Sequence, residues 1–252
     1  MGLTVEGAPL VAYVLASVRI VAWLVLVPPY ASRSFPTQAK VLLALALSFV
    51  VVPSTELPTV PTGTLELAVQ VAQEVLVGAS LGFVTYLVFA AVQAAGDLID
   101  VFGGFSLAAA YDPLSFQMNS VFGRFYQMLA TTLLFTTGLH LWVMAGLLKT
   151  FDRLPVGMGI DVSNLSQIML GAFGAFITCA VQIALPIMGV LFVADLGLAL
   201  LTKVAPQLNA IGIMFPAKIG LTLVVVGFSF TVFPEALANL KDMALEAMWA
   251  LT

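Results

Sequence analysis

Residues 65–95 read LELAVQVAQEVLVGASLGFVTYLVFAAVQAA. A helix crossing a hydrocarbon core of about 30 Å needs about 20 apolar residues, and this run is longer than that. Leu, Ala and Val dominate it, and they do not alternate with polar residues as the strands of a transmembrane barrel would. Within it Gln70, Glu74, Gly78 and Gly82 fall at i, i+4, i+8 and i+12. That spacing places a carboxylate and two side-chain-free positions on one helix face. Gly78-x-x-x-Gly82 lets a second backbone approach closely. An ionised carboxylate at membrane depth costs several kcal/mol, so Glu74 needs a partner or a wet cavity. The face is therefore a packing seam. It serves either another subunit, with Glu74 satisfied across the boundary, or another helix of the same chain, and the sequence leaves both readings open.

The rest of the chain has the same character. Of 252 residues, 61% are hydrophobic and 9% charged, against about 25% charged in an ordinary soluble domain. The mean hydropathy is +1.10. A soluble globule of this size could not hide so much apolar surface. A net charge of −4 leaves no basic footprint for phosphate backbones. An ordinary cytosolic enzyme, a disordered chain and a nucleic-acid binder are excluded, and a polytopic, all-α membrane protein remains. The single cysteine, Cys179, excludes an internal disulfide and reads as a small buried hydrophobe. Met1–Pro9 carries no basic residue and does not look like a signal peptide.

Six long apolar segments follow one another: Pro9–Val27, Ala39–Val52, Leu65–Ala95, Phe125–Leu148, Ser166–Thr202 and Ile211–Phe233. The second is short for a full span. Pro234–Leu251 spaces Leu237, Leu240, Leu245, Met248 and Trp249 against Lys241, Asp242 and Glu246, the pattern of an amphipathic helix. Alternating six spans puts Arg33, Lys40, Arg124 and Lys203 on one side and Lys149, Arg153 and Lys241 on the other. That split sets no orientation by the positive-inside rule. The connection Asp97–Arg124 is too apolar for a free loop and too broken by Gly103-Gly104 for a span. Connections of that length are uncommon and are often functional.

Asp195 and Lys218 stand at equal distance from the turn Lys203–Asn209, which contains Pro206. If the fifth and sixth segments form a hairpin about that turn, both charges sit at one depth and can pair. Pro186 and Pro216 are expected to break their helices, and the freed carbonyls should then be buried in protein or line a cavity. No set of residues reads as catalysis. One histidine, His140, and scattered acidic residues give no metal site, and there is no phosphate-binding glycine loop. No cofactor is expected.

The ordered set of features resembles the FliR family of flagellar biosynthesis proteins, the T subunit of the type III secretion export gate. The set comprises Arg19, the Arg33–Pro36–Lys40 turn, Pro53 and Glu74-x-x-x-Gly78-x-x-x-Gly82. It continues with Ala95-Gly96-Asp97, Gly103-Gly104-Phe105, Asp112-Pro113, Gly138–His140 and Pro155. It ends with Pro186, Pro206-Gln207-Leu208-Asn209 and Phe215-Pro216-Ala217-Lys218. The resemblance implies a non-enzymatic subunit that joins several FliP-type and FliQ-type subunits in a helical export gate, next to FlhB- and FlhA-type proteins. That assembly lies in the bacterial inner membrane at the flagellar basal body, largely above the plane of the bilayer, with helices bent into hairpins. Unfolded flagellar proteins pass through it. The chain would be a FliP-like part, residues 1–165, fused to a FliQ-like hairpin, residues 166–252.

The resemblance also implies a loop that plugs the closed channel, which by motif position falls on residues 103–119. The residues suit that task. Gly103 and Gly104 permit a sharp backbone. Phe105, Tyr111, Phe116 and Met118 offer an apolar body that dewets a constriction, and Asp112-Pro113 fixes a turn. The alternative is an ion-coupled secondary transporter, with Glu74, Asp195 and Lys218 framing a midplane site at broken helices.

Overall fold

The computed structural model describes residues 7–28, 30–32, 35–54, 63–105, 120–158, 162–204, 210–231 and 233–251. Every regular element among them is helical. We number the α-helices α1 (Gly7–Leu26), α2 (Thr37–Val51), α3 (Thr64–Gly103), α4 (Val121–Thr136), α5 (Leu139–Arg153), α6 (Val162–Val204), α7 (Ala210–Ser229) and α8 (Phe233–Ala250). A short 3-10 turn, Val52–Ser54, follows α2.

The eight helices correct the reading of six segments plus a tail in two places. The apolar run Phe125–Leu148 is two helices, because Gly138 takes φ 73° between α4 and α5. That left-handed conformation costs a residue with a Cβ and costs glycine little. Hydropathy cannot register it. The third segment extends eight residues past Ala95 to make α3 40 residues long, because Gly96, Asp97 and Asp100 find partners or close neighbours on its far end. At 1.5 Å per residue α3 is roughly 60 Å long, about twice the thickness of a hydrocarbon core.

Pro186 and Pro216 are a third correction. Both lie inside continuous helices, α6 and α7, and neither breaks its helix. Proline removes one ladder hydrogen bond and crowds the preceding turn. In an apolar setting the flanking bonds have no water to exchange with, so the helix persists around the missing one. By length and composition α1, α3 and residues Leu165–Val204 of α6 can each cross a membrane. Two pairs of helices separated by short breaks would raise the number to five if each pair is one span.

The chain packs into two compact units. The first is residues 1–88, 138–173 and 241–252, and the second is residues 89–137 and 174–240. In the first, α1 buries Ala12, Leu15, Ala16, Arg19, Ile20, Trp23 and Leu24. These recur every three or four residues, the single stripe of a helix with one face inward. Leu10, Val14 and Val25 point outward. The stripe lies on the glycine seam of α3. A Cβ on Gly78 would strike the backbone carbonyl of Arg19, and one on Gly82 would sit 3.1 Å from the Leu26 Cβ. Tyr13 of α1 packs on Phe49 of α2 at 4.7 Å between ring centroids. Gly146 of α5 receives the side chains of Leu245 and Met248 from the end of α8.

In the second unit α4 buries Phe122, Tyr126, Ala130 and Leu134 at intervals of four. The Tyr126 hydroxyl meets Ser229 Oγ at 3.1 Å, and its ring lies 5.0 Å from Phe233. The remaining faces of α6 and α7 are apolar and uncovered. Val193 is 67% exposed and Phe228 75% exposed. A Cβ on Gly174, Gly189, Gly197, Gly220 or Gly227 would meet nothing within 4 Å.

The seam makes a test of glycine roles. Gly78→Ala should destabilise the detergent-solubilised chain by about 1–3 kcal/mol, because the α1 backbone must move. Gly171→Ala, with nothing within 4 Å, should be neutral or stabilising by up to about 1 kcal/mol through helix propensity. Thermal unfolding of the two variants side by side measures the difference. Equal effects would mean that α1 does not rest on Gly78.

Candidate functional site

The charge on the seam has its partner inside the chain. Arg19 of α1 and Glu74 of α3 are both fully buried. Arg19 Nε donates to Glu74 Oε2 at 2.5 Å, and Nη2 donates to Glu74 Oε1 at 3.0 Å. This two-bond fork is the strongest arrangement open to a guanidinium and a carboxylate. The outer nitrogens reach further. Nη1 donates to the Leu154 carbonyl at 2.7 Å, and Nη2 to the Pro155 carbonyl at 3.3 Å. The Gly157 amide donates to Glu74 Oε1 at 2.8 Å. The guanidinium lies over the Phe151 ring, 4.3 Å from its centroid, a favourable cation–π contact.

The turn that completes the cluster follows from its sequence. The Met158 amide donates to the Pro155 carbonyl at 3.2 Å, and Gly157 takes φ 87°. Positive φ at that position is the mark of a type II turn, which wants glycine there. The pair thus ties α1, α3 and the turn after α5 together. Of the two readings of the Gln70–Gly82 face, the structure has the second: α1 of the same chain fills it. Nearby, Tyr30 donates to Met144 Sδ at 3.2 Å. Burial pushes its phenol up from the ordinary value, which keeps the hydroxyl neutral and donating.

In the second unit the two roots of the long loop meet at one residue, Asp100. On the near side α3 ends at Gly103, and Gly104 takes φ 84°. The Phe105 amide donates to the Asp100 carbonyl at 3.1 Å, and the Gly104 amide to the Val101 carbonyl at 3.4 Å. These crossed bonds form the Schellman ending of a helix, which needs a left-handed residue where Gly104 stands. On the far side the Asp100 carboxylate accepts from the Phe122 amide at 3.1 and 3.2 Å and from the Ser120 hydroxyl. Ser120 is the N-cap of α4 and accepts from the Gly123 amide at 2.8 Å. A carboxylate at a helix N-terminus also meets the positive end of the helix dipole.

Small residues make this approach possible. A Cβ on Gly96 would strike the Phe122 carbonyl, and one on Gly123 would strike Asp97 and Ser120. The Phe105 and Phe122 rings pack edge to face at 5.0 Å. Gly103 lies against Thr222 of α7.

Asp195 and Lys218 also meet in this unit. Lys218 Nζ donates to Asp195 Oδ2 at 2.8 Å, with the side chains 16% and 34% exposed respectively. This is a half-buried, single-bonded pair, unlike the forked and dry Arg19–Glu74. Of the other residues singled out from sequence, Tyr111, Asp112, Pro113, Phe116, Met118 and Pro206 lie outside the described residues. Sequence reasoning missed two functional features. Arg19 was not matched to Glu74, although they are an opposite pair inside apolar segments. The sequence reading gives Asp100 no task, although Ser120 before Val-Phe-Gly is an N-cap signal that points toward it. Among the described residues no three His, Cys, Asp or Glu side chains converge as a metal site would require.

Comparison with known proteins adds the following. The chain matches the family described as bacterial export proteins, family 1, over residues 10–243. It is 32% identical to the flagellar biosynthetic protein FliR of Escherichia coli (strain K12) over 215 residues, covering 85% of this chain and 77% of the relative. It is 29% identical to the FliR of Aquifex aeolicus (strain VF5), covering 91% and 89%. It is 25% identical to the FliR of Bacillus subtilis (strain 168), covering 94% and 93%.

The two ion pairs predict opposite mutational behaviour. Arg19→Met or Glu74→Met alone should cost about 3–5 kcal/mol, because each strands a buried charge. The double variant should recover most of that loss, since an apolar pair of similar volume needs no solvation. At the half-buried pair, Asp195→Lys or Lys218→Asp alone should cost less than either change at the dry pair, because water can still reach both side chains in part. The combined swap should restore the wild-type value. Unfolding midpoints of the solubilised variants check both. A double Met variant no better than either single one would remove the dry-pair account.

Proposed function

The chain belongs to the FliR family, family 1 of the bacterial export proteins, and we propose that it is the subunit that helps form and plug the pore of the flagellar export gate. It is a membrane component of the flagellar export machinery. In the proposed reading it sits in the inner membrane of the basal body and has no catalytic role. FliP-type and FliQ-type subunits complete the pore wall, FlhB- and FlhA-type proteins lie beside it, and unfolded flagellar proteins are the cargo. Residues 1–165 act as the FliP-like part and residues 166–252 as the FliQ-like hairpin.

The observation that carries the export role is the family match across nearly the whole chain. Physical features support the finer reading. α3 and α6, at 40 and 43 residues, are about twice as long as a bilayer needs. The uncovered apolar faces of α6 and α7 exceed what a soluble monomer exposes and fit neighbouring helices or lipid. Phe105 and Ser120, the described residues on either side of 106–119, are both bonded to Asp100, so the two ends of the connection are held at one residue. Within residues 103–119, Phe105, Tyr111, Phe116 and Met118 supply an apolar surface of the kind that closes a pore by dewetting. The transporter alternative loses its motive, because α6 and α7 run unbroken through Pro186 and Pro216.

Two measurements test the reading. Co-expressed with FliP-type and FliQ-type subunits, the chain should co-purify in one complex of defined intact mass, and failure to associate overturns the partner assignment. Replacing residues 106–119 with a short Gly-Ser linker should leave that complex assembled but leaky to ions and small solutes. An assembled variant complex that stays tight overturns the plug assignment.

A further inference from the structure

We propose that Asp100 is a positioning residue that fixes both roots of the plug loop, and that the seal depends on the hydrogen bonds Asp100 accepts rather than on the loop's own residues alone. The inference rests on the plug reading of residues 103–119. It is drawn from the described residues at the two ends of that stretch.

In general a long connection inherits at its tip any error in the placement of its two ends. Closing such a loop costs conformational entropy that only fixed ends offset. Here one residue fixes both. The main-chain carbonyl of Asp100 ends α3 by accepting from Phe105. Its side chain starts α4 by accepting from Ser120 and Phe122. Asp100 is 3% exposed, so water cannot take over these bonds when they are lost. Buried donors left without an acceptor are costly, which makes the arrangement stiff. The carboxylate's described partners are the Ser120 hydroxyl and the Phe122 amide at the start of α4.

Two further details fit a device for placement. Ser120 Oγ relays the contact, donating to Asp100 while accepting from Gly123. The rings of Phe105 and Phe122, the two residues whose amides donate to Asp100, pack on each other and add an apolar contact between the two ends. Glycine at 96 and 123 allows the two backbones to come close enough for a short side chain to bridge them. Glutamate at position 100 would be one methylene too long for this geometry. Asparagine would fit it and could keep the amide and hydroxyl bonds without the charge.

The test uses the whole export complex in membranes and compares Asp100→Ala, Asp100→Asn, Ser120→Ala and the 106–119 linker replacement. Each is scored for recovered complex and for ion leak in the absence of cargo. Asp100→Ala should leak toward the level of the linker replacement, with the closed population reduced by about tenfold for the loss of a buried hydrogen-bonding group. Ser120→Ala should leak less, and Asp100→Asn should return most of the seal. If Asp100→Ala does not assemble, Ser120→Ala and Asp100→Asn decide in its place. A tight Ser120→Ala complex, or an Asp100→Ala complex that assembles and stays tight while the linker replacement leaks, overturns the role of Asp100 and leaves the plug standing. A linker replacement that stays tight overturns the plug itself. An Asp100→Asn complex that leaks as much as Asp100→Ala overturns placement by geometry.

Discussion

A chain that is 9% charged has few charges to place, and the two that are buried completely among the described residues govern the packing of its first unit. Arg19 and Glu74 are both fully inaccessible to water. Neither could be there alone, because desolvating one ion costs several kcal/mol or more. Together, with two backbone carbonyls, one amide and an aromatic face, they leave almost no polar capacity unused. The requirement is geometric before it is energetic. The fork fixes how far α1 slides along α3, and Nη1 and Nη2 fix where the Leu154–Pro155 turn must pass. An apolar seam alone tolerates slippage by a turn. The ion pair does not, since a shift of one helical turn is about 5.4 Å and would separate the charges. Gly78 and Gly82 then become necessary. A Cβ at Gly78 would push α1 away and pull the fork apart.

This constraint explains why some features could be read from the sequence and others could not. The stripe of α1 was open to inspection, because a helix with one inward face repeats every three or four residues. The partnership of Asp195 and Lys218 was suggested by symmetric spacing about a turn. Arg19 and Glu74 are 55 residues apart, with α2 and its connections between them, and no symmetry links them. The break at Gly138 was hidden for a different reason: a single change of sign in φ leaves no trace in hydropathy. Conversely, Pro186 and Pro216 drew too much weight. Proline propensities are learned in water, where a broken ladder is rescued by solvent. In an apolar setting the remaining bonds have no competitor.

Asp100 was illegible for a third reason. Its described partners are a hydroxyl and backbone amides, and every residue but proline carries an amide. A carboxylate that satisfies a helix start looks, in sequence, like any acidic residue near a helix end. What marks it is position: it is the last acidic residue before a glycine pair and lies opposite a serine that precedes a helix. That combination is a local rule of helix ends, applied to two helices that the chain separates by a long insertion.

The two clamps share a logic that follows from composition. Where water is scarce, every backbone group left over at a helix end needs an internal partner. The chain meets that need with its few ionisable residues instead of with loops full of polar side chains. Arg19 satisfies the carbonyls after α5, Glu74 satisfies the amide of Gly157, and Asp100 satisfies the Phe122 amide at the start of α4. Each of these charges therefore does what a soluble protein leaves to solvent. The uncovered faces of α6 and α7 show the complementary choice. There the helices run long, carry glycines that meet nothing, and leave Val193 and Phe228 bare. A helix end must be satisfied within the chain because its polar groups cannot wait for a neighbour. An apolar helix face can be left for one, since lipid covers it at little cost until a partner helix arrives.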